Sequence, residues 1–310
     1  MGLKDFQDPI PLRKSLARKS RVLFSLLRGK TNTPLTQQQM RARIEKLTGR
    51  LDAASPMQRR PQALWTIEKL VACCAKHSTI TLNDDLLPPG IQTTAHTGLG
   101  FSATESSRFD PAVFTRIVEG MSHPDYRLFC YESAGSVLAF HENDAMLPLV
   151  KGLEKIGLLE LVCSDPGQMD EFRLSFRDPE LQRLIANGYG RILYFKSRDV
   201  SAAVGAAYAR PFLNFEGAVQ GIGFAYLLMN ARDWATILRA ATELETAWAG
   251  PFRVGLVYTM EFFEWMTPGF LDTLPPQRPA VARLLQTAAE ESRADRKRGF
   301  IKTFALERQV

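Results

Sequence analysis

The sequence is poor in cysteine, which cross-links small secreted proteins, and in histidine, which binds metal ions. Its 310 residues include only four cysteines and four histidines. Four cysteines in a chain of this length do not make a disulfide framework, so a reduced cytosolic setting is the simplest interpretation. The histidines form neither an H-x-x-x-H nor an H-E-x-x-H pattern. No metal site is therefore predicted.

Long apolar runs are also missing. No unbroken apolar stretch reaches ten residues, whereas a helix that spans a bilayer needs about 20. The composition, 45% hydrophobic and 23% charged, excludes disordered, collagen-like and coiled-coil classes. P-loop, dinucleotide-binding and nucleophile-elbow motifs are absent, so no cofactor can be assigned. The chain is expected to be a globular cytoplasmic protein.

Positive charge is concentrated at the N-terminus. Residues 1–60 carry a net charge of +10, and residues 61–310 carry −4. Within 12–30, leucines at helical spacing are interleaved with lysine and arginine, which predicts a basic amphipathic helix (Leu12, Leu16, Leu23 and Leu27). We expect residues 1–60 to form an arm that packs on the main body, lies on an anionic membrane surface or binds a partner protein. Nucleic acid is a weaker option, because the arm has little aromatic interleaving.

Helical signals dominate the remainder, and the predicted fold class is an all-α helical bundle. Asp110-Pro111 combines an N-cap with proline at the first helical position, which predicts a helix over 111–121. Residues 78–108, rich in Pro, Gly, Ser and Thr, are predicted to form a linker or a binding loop. Only 190–196 has the pattern of a strand, and it is too short to found a sheet. Further helices are predicted at 36–52, 61–77, 125–142, 144–161, 168–176, 179–187, 199–209, 214–230, 232–248, 252–266 and 278–305.

Two segments 84 residues apart are alike. Tyr131-Glu132-Ser133-Ala134 aligns with Phe215-Glu216-Gly217-Ala218, and small residues follow both. Glycine inside a helix costs up to about 1 kcal/mol relative to alanine, so such residues indicate close approach of a helix or a ligand. We therefore predict a single domain over 61–310, built from two pseudo-symmetric helical repeats at about 110–165 and 199–250.

The candidate site lies on these repeats. Glu132 and Glu216 either charge the first turns of their helices or converge on a cavity, where burial would raise a pKa and permit general acid work. Arg191, in an apolar segment, either lies at the surface or pairs with one of those carboxylates. The predicted catalytic residues are Glu132, Glu216 and Arg191. The predicted substrate-binding residues are Tyr131, Phe215, Tyr226 and Gly221.

Three segments resemble, in order, an uncharacterised bacterial family that recurs in gene clusters for enediyne polyketides and other specialised metabolites. They are Tyr131–Ala134, Gly188–Phe195 and Phe215–Tyr226, and the resemblance covers roughly residues 95–270. The family typically reads Phe/Tyr-Glu-Gly-Ala, then Gly-x-Gly-Arg-x-Leu-Trp-Phe, then a glycine-rich run that ends in Ala-Tyr. Here Ser133 replaces a glycine and Tyr194 replaces the tryptophan. The resemblance implies a biosynthetic role without specifying a reaction.

Three functions remain open from the sequence. In the first, an apolar cavity between the repeats binds or transforms a hydrophobic polyene or isoprenoid-like intermediate in natural-product biosynthesis. In the second, the chain is a non-catalytic helical scaffold that recruits pathway enzymes or an anionic membrane surface through its arm. In the third, the arm binds nucleic acid. The position of Glu132, Glu216 and Arg191 in the structure separates the first from the second.

Overall fold

The structure is a computed structural model. It describes residues 36–52, 67–75 without 69 and 73, 80–82, 87, 89–142, 166–231, 233–243, 247–266, 279, 280 and 283. Among these residues there are helices and no strand, so the prediction of an all-α fold is confirmed. The predicted amphipathic helix at 12–30 and the predicted helix at 144–161 lie outside the described residues. The described residues divide into two compact units, the first ending at Phe176 and the second beginning at Arg177.

The described residues of the first unit form five α-helices and a helical segment within 67–75. The five α-helices are α1 (Gln37–Asp52), α2 (Pro89–Ser107), α3 (Pro111–Met121), α4 (Leu128–His141) and α5 (Pro166–Ser175), with a 3-10 turn at Pro124–Tyr126. Helix α2 packs on both α3 and α4. Aromatic rings from three helices and two helix ends fill the core between α3, α4 and α5, with centroids 5.0–5.9 Å apart (Phe109, Phe114, Tyr131, Phe172 and Phe176).

Helix α2 corrects the prediction of a linker or binding loop at 78–108. Its hydroxyl side chains bond to carbonyls of their own helix, as when Thr97 donates to the Thr93 carbonyl at 3.0 Å and Thr104 to the Gly100 carbonyl at 2.7 Å. A Cβ on Gly98 would lie 2.1 Å from the backbone oxygen of Glu68, so this glycine allows another helix to approach closely. Residues typical of a loop here serve a buried helix, because tertiary packing overrides local propensity.

The N-terminus of α3 is capped as predicted. The Asp110 carboxylate accepts hydrogen bonds from the backbone N–H groups of Ala112 at 2.9 Å and Val113 at 3.0 Å, and Pro111 occupies the first turn. The helix ends at Met121, so its predicted bounds are also confirmed.

We expect Asp110→Ala to lower the free energy of unfolding by about 1 kcal/mol, because two N–H groups of the first turn lose their acceptor. Asp110→Asn is the matched control, since its amide oxygen can still accept those bonds. Urea denaturation of both variants measures the effect. An equal loss in both would show that the negative charge, and not the cap, stabilises α3.

In the described part of the second unit there are five α-helices, besides helical residues at 279, 280 and 283. They are α6 (Pro179–Ser197), α7 (Val200–Tyr208), α8 (Phe215–Asn230), α9 (Trp234–Glu243) and α10 (Ala249–Met266). Helix α8 packs on both α6 and α10. The segment 190–196, which has a strand-like pattern, lies inside α6, and the helix predicted at 179–187 extends to Ser197.

Glycines bring α6, α8 and α10 into close contact. A Cβ on Gly221 would lie 1.9 Å from the backbone oxygen of Asn187 on α6, and one on Gly223 would lie 2.2 Å from that of Phe252 on α10. Gly217 meets Arg183 in the same way. Since residue numbers rise together at the contacts between α6 and α8, these two helices run parallel. The prediction that the glycines of 215–226 serve close helix contacts is confirmed.

The contacts of the two units correspond at a spacing of about 123 residues. Gly98 and Gly221 each contact the preceding helical segment, at Glu68 and Asn187. Gly100 and Gly223 each contact a later helix, at the backbone oxygens of Cys130 (2.4 Å) and Phe252 (2.2 Å). The ring of Phe101 pairs with that of Phe140, and the ring of Phe224 with that of Phe262. The glycines of α2 and α8 thus make similar contacts within their own units.

The 84-residue register stays a prediction. Glu132 and Glu216 both lie on α-helices, but their surroundings differ. Glu132 is 4% exposed in the second turn of α4, whereas Glu216 is exposed in the first turn of α8. Likewise, 61–310 is predicted to be one domain, whereas the structure groups these residues into the two units. None of the helices that the structure describes combines the length and apolarity needed to cross a bilayer.

Candidate functional site

The predicted site residues fall in both units. Tyr131 and Glu132 lie on α4 in the first unit; the Tyr131 ring belongs to the aromatic core, and its pKa is raised by burial. The other five lie in the second unit. Phe215 and Glu216 stand in the first turn of α8, where the Phe215 ring meets Tyr208 at 5.9 Å. The predicted grouping of both glutamates with Arg191 stays a prediction.

Three predicted residues lie where α8 packs on its neighbours in the second unit. Arg191 and Gly221 lie at the contact of α6 and α8, where a Cβ on Gly221 would be 3.0 Å from the Arg191 backbone nitrogen. Tyr226 is 1% exposed, and its ring packs 5.7 Å from Tyr194 and 5.5 Å from Phe252. Tyr226 is thus a core residue, and Gly221 sets the distance between the helices.

Arg191 is held against aromatic rings. Its Cζ lies 3.4 Å from the ring centroid of Phe224 on α8 and 5.6 Å from that of Tyr258 on α10. Its Nε donates a hydrogen bond to Asn187 Oδ1 at 3.1 Å, one helical turn earlier on α6. A guanidinium so placed is stabilised by the ring faces, by about 0.5–2 kcal/mol. The arginine is partly exposed, so it borders solvent.

One further ring, that of Phe262, and one further amide, that of Gln220, complete this group. Phe262 on α10 is partly exposed and lies 5.6 Å from Phe224. Burial raises the pKa of Tyr258 well above its usual range, and the nearby Arg191 guanidinium opposes the rise. Gln220, one turn before Phe224, is 2% exposed. We name this group the arginine cluster, and its members are Asn187, Arg191, Gln220, Phe224, Tyr258 and Phe262.

The sequence indicated only part of the arginine cluster. Phe224, Tyr258 and Phe262 stand out only as part of an aromatic-rich last third, and Asn187 and Gln220 were missed. The available signal was the four-residue spacing that joins Asn187 to Arg191 and Gln220 to Phe224. That spacing places each pair on one helix face, but it does not show that the two faces meet.

The residues of the arginine cluster differ in chemistry from those found 119–123 residues earlier in the chain. At those positions the first unit has Ala72, Thr97 and Ser136, where the second unit has Arg191, Gln220 and Tyr258.

No protein-family model, curated protein or solved structure matches the chain.

Other parts of the described structure offer weaker sites. An open groove on the first unit, between α3 and the end of α5, has a mixed lining (Pro111, Ala112, Thr115, Arg116, Glu119, Ser175 and Phe176). Among the described residues, no three His, Cys, Asp or Glu side chains lie close enough to hold a metal ion. The apolar cavity expected between the repeats stays a prediction. The arginine cluster is the candidate site that the geometry favours.

Proposed function

We propose that the chain acts in the biosynthesis of a specialised metabolite and binds a hydrophobic, polyene- or isoprenoid-like intermediate at the arginine cluster. One observation carries the proposal: the partly exposed Arg191 lies 3.4 Å from the centroid of Phe224, and the ring of the partly exposed Phe262 lies 5.6 Å from the same Phe224 ring. A cation and an aromatic ring that both border solvent can bind a conjugated chain and its polar end. Three segments resemble a protein family that recurs in gene clusters for specialised metabolites, and this resemblance supports a role in biosynthesis.

Phe262 and Arg191 mark where the ligand enters. Phe224 and Tyr258 are 3% and 7% exposed, whereas Phe262 and Arg191 border solvent. Burying a whole phenylalanine ring contributes about 1.5–3 kcal/mol, so a ligand that covers the exposed part of Phe262 gains roughly twofold to fivefold in affinity. The ligand is thus expected to lie across Phe262 with its polar end at Arg191.

Fluorescence titration with two polyene probes, all-trans-retinol and cis-parinaric acid, tests the proposal. We expect at least one of them to bind the full chain with micromolar affinity, which corresponds to a binding free energy of about −8 kcal/mol. Phe262→Ala should weaken this binding roughly twofold to fivefold. Phe212→Ala is the matched control, because Phe212 is also partly exposed, at 42%, but contributes no ring to the cluster.

Equal weakening in both variants would place the ligand elsewhere. If neither probe binds a folded protein, the scaffold alternative remains. The exposed aromatic side chains of Tyr208 (79%) and Phe212 (42%) favour that alternative, since such groups are common in protein interfaces.

A further inference from the structure

Two buried amide groups lie one helical turn before the contact of Arg191 with Phe224, one on α6 and one on α8. Asn187 is 0% exposed and Gln220 is 2% exposed. Asn187 Nδ2 and Gln220 Oε1 have no hydrogen-bond partner among the residues that the structure describes. A buried amide group without a partner is costly, so such atoms indicate a place where a bound molecule completes the hydrogen bonding.

The amides and the arginine form two layers. Asn187 precedes Arg191 by four residues on α6, and Gln220 precedes Phe224 by four residues on α8. One turn of helix is about 5.4 Å, so each amide lies that far along its helix from the Arg191–Phe224 contact. Because α6 and α8 run parallel, both amides lie on the same side of that contact. Polar groups therefore lead inward from the partly exposed arginine.

Each of the two amides can supply a hydrogen-bond donor. Asn187 Oδ1 accepts from Arg191 Nε at 3.1 Å, which fixes the Asn187 amide with Nδ2 as its remaining donor. Gln220 Oε1 has no bond that orients it within the described structure, and a half-turn of the amide presents Nε2 instead. The guanidinium and two amide N–H groups are together complementary to a carboxylate.

We propose that the intermediate bound at the arginine cluster is a hydrophobic carboxylic acid. This rests on the proposed function. The carboxylate accepts hydrogen bonds from the Arg191 guanidinium and from Asn187 Nδ2, and Gln220 turns its amide to donate as well. The hydrocarbon chain packs against Phe262. Rotation of the flexible Arg191 side chain admits the carboxylate to the buried amide, while the planar guanidinium keeps a charge-assisted bond to it.

The first test compares cis-parinaric acid with its methyl ester, which has the same polyene and no charge. We expect the full chain to bind the acid about tenfold more tightly than the ester, because the ester leaves charged and polar groups unsatisfied. Equal affinities overturn the carboxylate assignment and leave the proposed function standing. If the acid, the ester and retinol all fail to bind, the proposed function fails and this inference with it.

Asn187→Asp tests the amide donor at constant shape. The variant keeps an oxygen for Arg191 Nε but replaces Nδ2 with a carboxylate oxygen, which repels an acid. We expect affinity for cis-parinaric acid to fall about tenfold or more and affinity for the ester to stay within about twofold. The melting temperature should be maintained, since the new carboxylate pairs with Arg191. Unchanged acid affinity in a folded Asn187→Asp protein overturns the proposal.

If Asn187→Asp does not fold, Gln220→Leu provides the second measurement. It removes the other amide while preserving bulk, and we expect it to reduce the acid-over-ester preference severalfold. A water bound between the amides would give the opposite pattern, with a raised melting temperature and an unchanged preference. That result would also overturn the proposal.

Arg191→Gln and Arg210→Gln form the charge test. Arg210 also stacks on a ring, with its Cζ 5.5 Å from the Tyr189 centroid, but it lies outside the cluster. We expect Arg191→Gln to abolish the preference for the acid and Arg210→Gln to retain it. Loss of the preference in both variants would mean that general positive charge attracts the acid, and the specific site would be wrong.

Discussion

Gly221→Ala is expected to lower the free energy of unfolding by about 3 kcal/mol or more. Its new methyl group would lie 1.9 Å from the Asn187 carbonyl oxygen and 3.0 Å from the Arg191 backbone nitrogen. Both are backbone atoms inside α6, so relief requires the two helices to separate. Overpacking a tight interior typically costs about 1–3 kcal/mol, and here no flexible side chain can absorb the strain. That cost outweighs the gain of about 1 kcal/mol from replacing a helical glycine.

Gly205→Ala is the matched control for this prediction. Gly205 also lies within a helix of the second unit, α7, but it is exposed and no atom lies within 4 Å of where a Cβ would be. The same substitution should therefore stabilise the protein by about 0.5–1 kcal/mol. Thermal and urea denaturation of the two variants should give changes of opposite sign. A Gly221→Ala protein as stable as Gly205→Ala would show that α6 and α8 are not in close contact.

Local sequence signals predicted much of the fold. The Asp110 cap places the start of α3, and Asp199 accepts from Ala202 N–H at 2.9 Å at the start of α7. Such signals succeed because a cap depends on residues within one turn. The prediction of a loop fails at 78–108, where glycine and hydroxyl residues favour one. The strand-like pattern at 190–196 also misleads. There the helix is decided by neighbours distant in sequence, such as Glu68 and Ala218, whose backbone oxygens approach Gly98 and Gly190.

The candidate site could be predicted only in part, for a related reason. Arg191 stands out because a charged residue in an apolar segment needs a partner, and its pairing with Glu132 or Glu216 stays a prediction. Its contacts also include an amide and two aromatic rings, supplied by α6, α8 and α10, which the sequence does not indicate. Sequence periodicity identifies the face of each helix, but the pairing of faces depends on how the glycines let the helices cross. A cation can be stabilised by ring faces as well as by carboxylates.

The second large effect is expected on the free energy of unfolding when the pH is lowered. His96 is 0% exposed, and both of its ring nitrogens are used. Nε2 accepts the backbone N–H of His123 at 2.8 Å, so the proton resides on Nδ1, which donates to the Gln92 carbonyl at 2.7 Å. Protonation of Nε2 would break the bond to His123 and place a charge in the core. Burial, with smaller contributions from the charges of His123 and Arg127, therefore lowers the pKa of His96 to about 4.

The sign of the pH effect follows from this lowered pKa. In the unfolded chain His96 takes up a proton as the pH falls through about 6.5, whereas in the folded chain it remains neutral until about pH 4. The unfolded state therefore binds more protons between these values, and stability decreases as the pH decreases. The loss begins near pH 6.5, reaches about 3 kcal/mol at pH 4 and increases little below it.

Urea denaturation at pH 7, 5.5 and 4.5 measures this loss, with His96→Gln as the test variant. Its amide can donate to the Gln92 carbonyl and accept from His123 N–H, but it does not titrate. We expect the free energy of unfolding of the variant to depend less steeply on pH. The slope should fall by the contribution of about one proton, close to 1.4 kcal/mol per pH unit at the steepest point. Burial also lowers the pKa of His141, so His141→Gln serves as the parallel control. It should remove a smaller part of the pH dependence of the free energy of unfolding than His96→Gln does. If His96→Gln and the wild type lose stability equally between pH 6.5 and 4, then His96 is not the group that makes the first unit sensitive to acid.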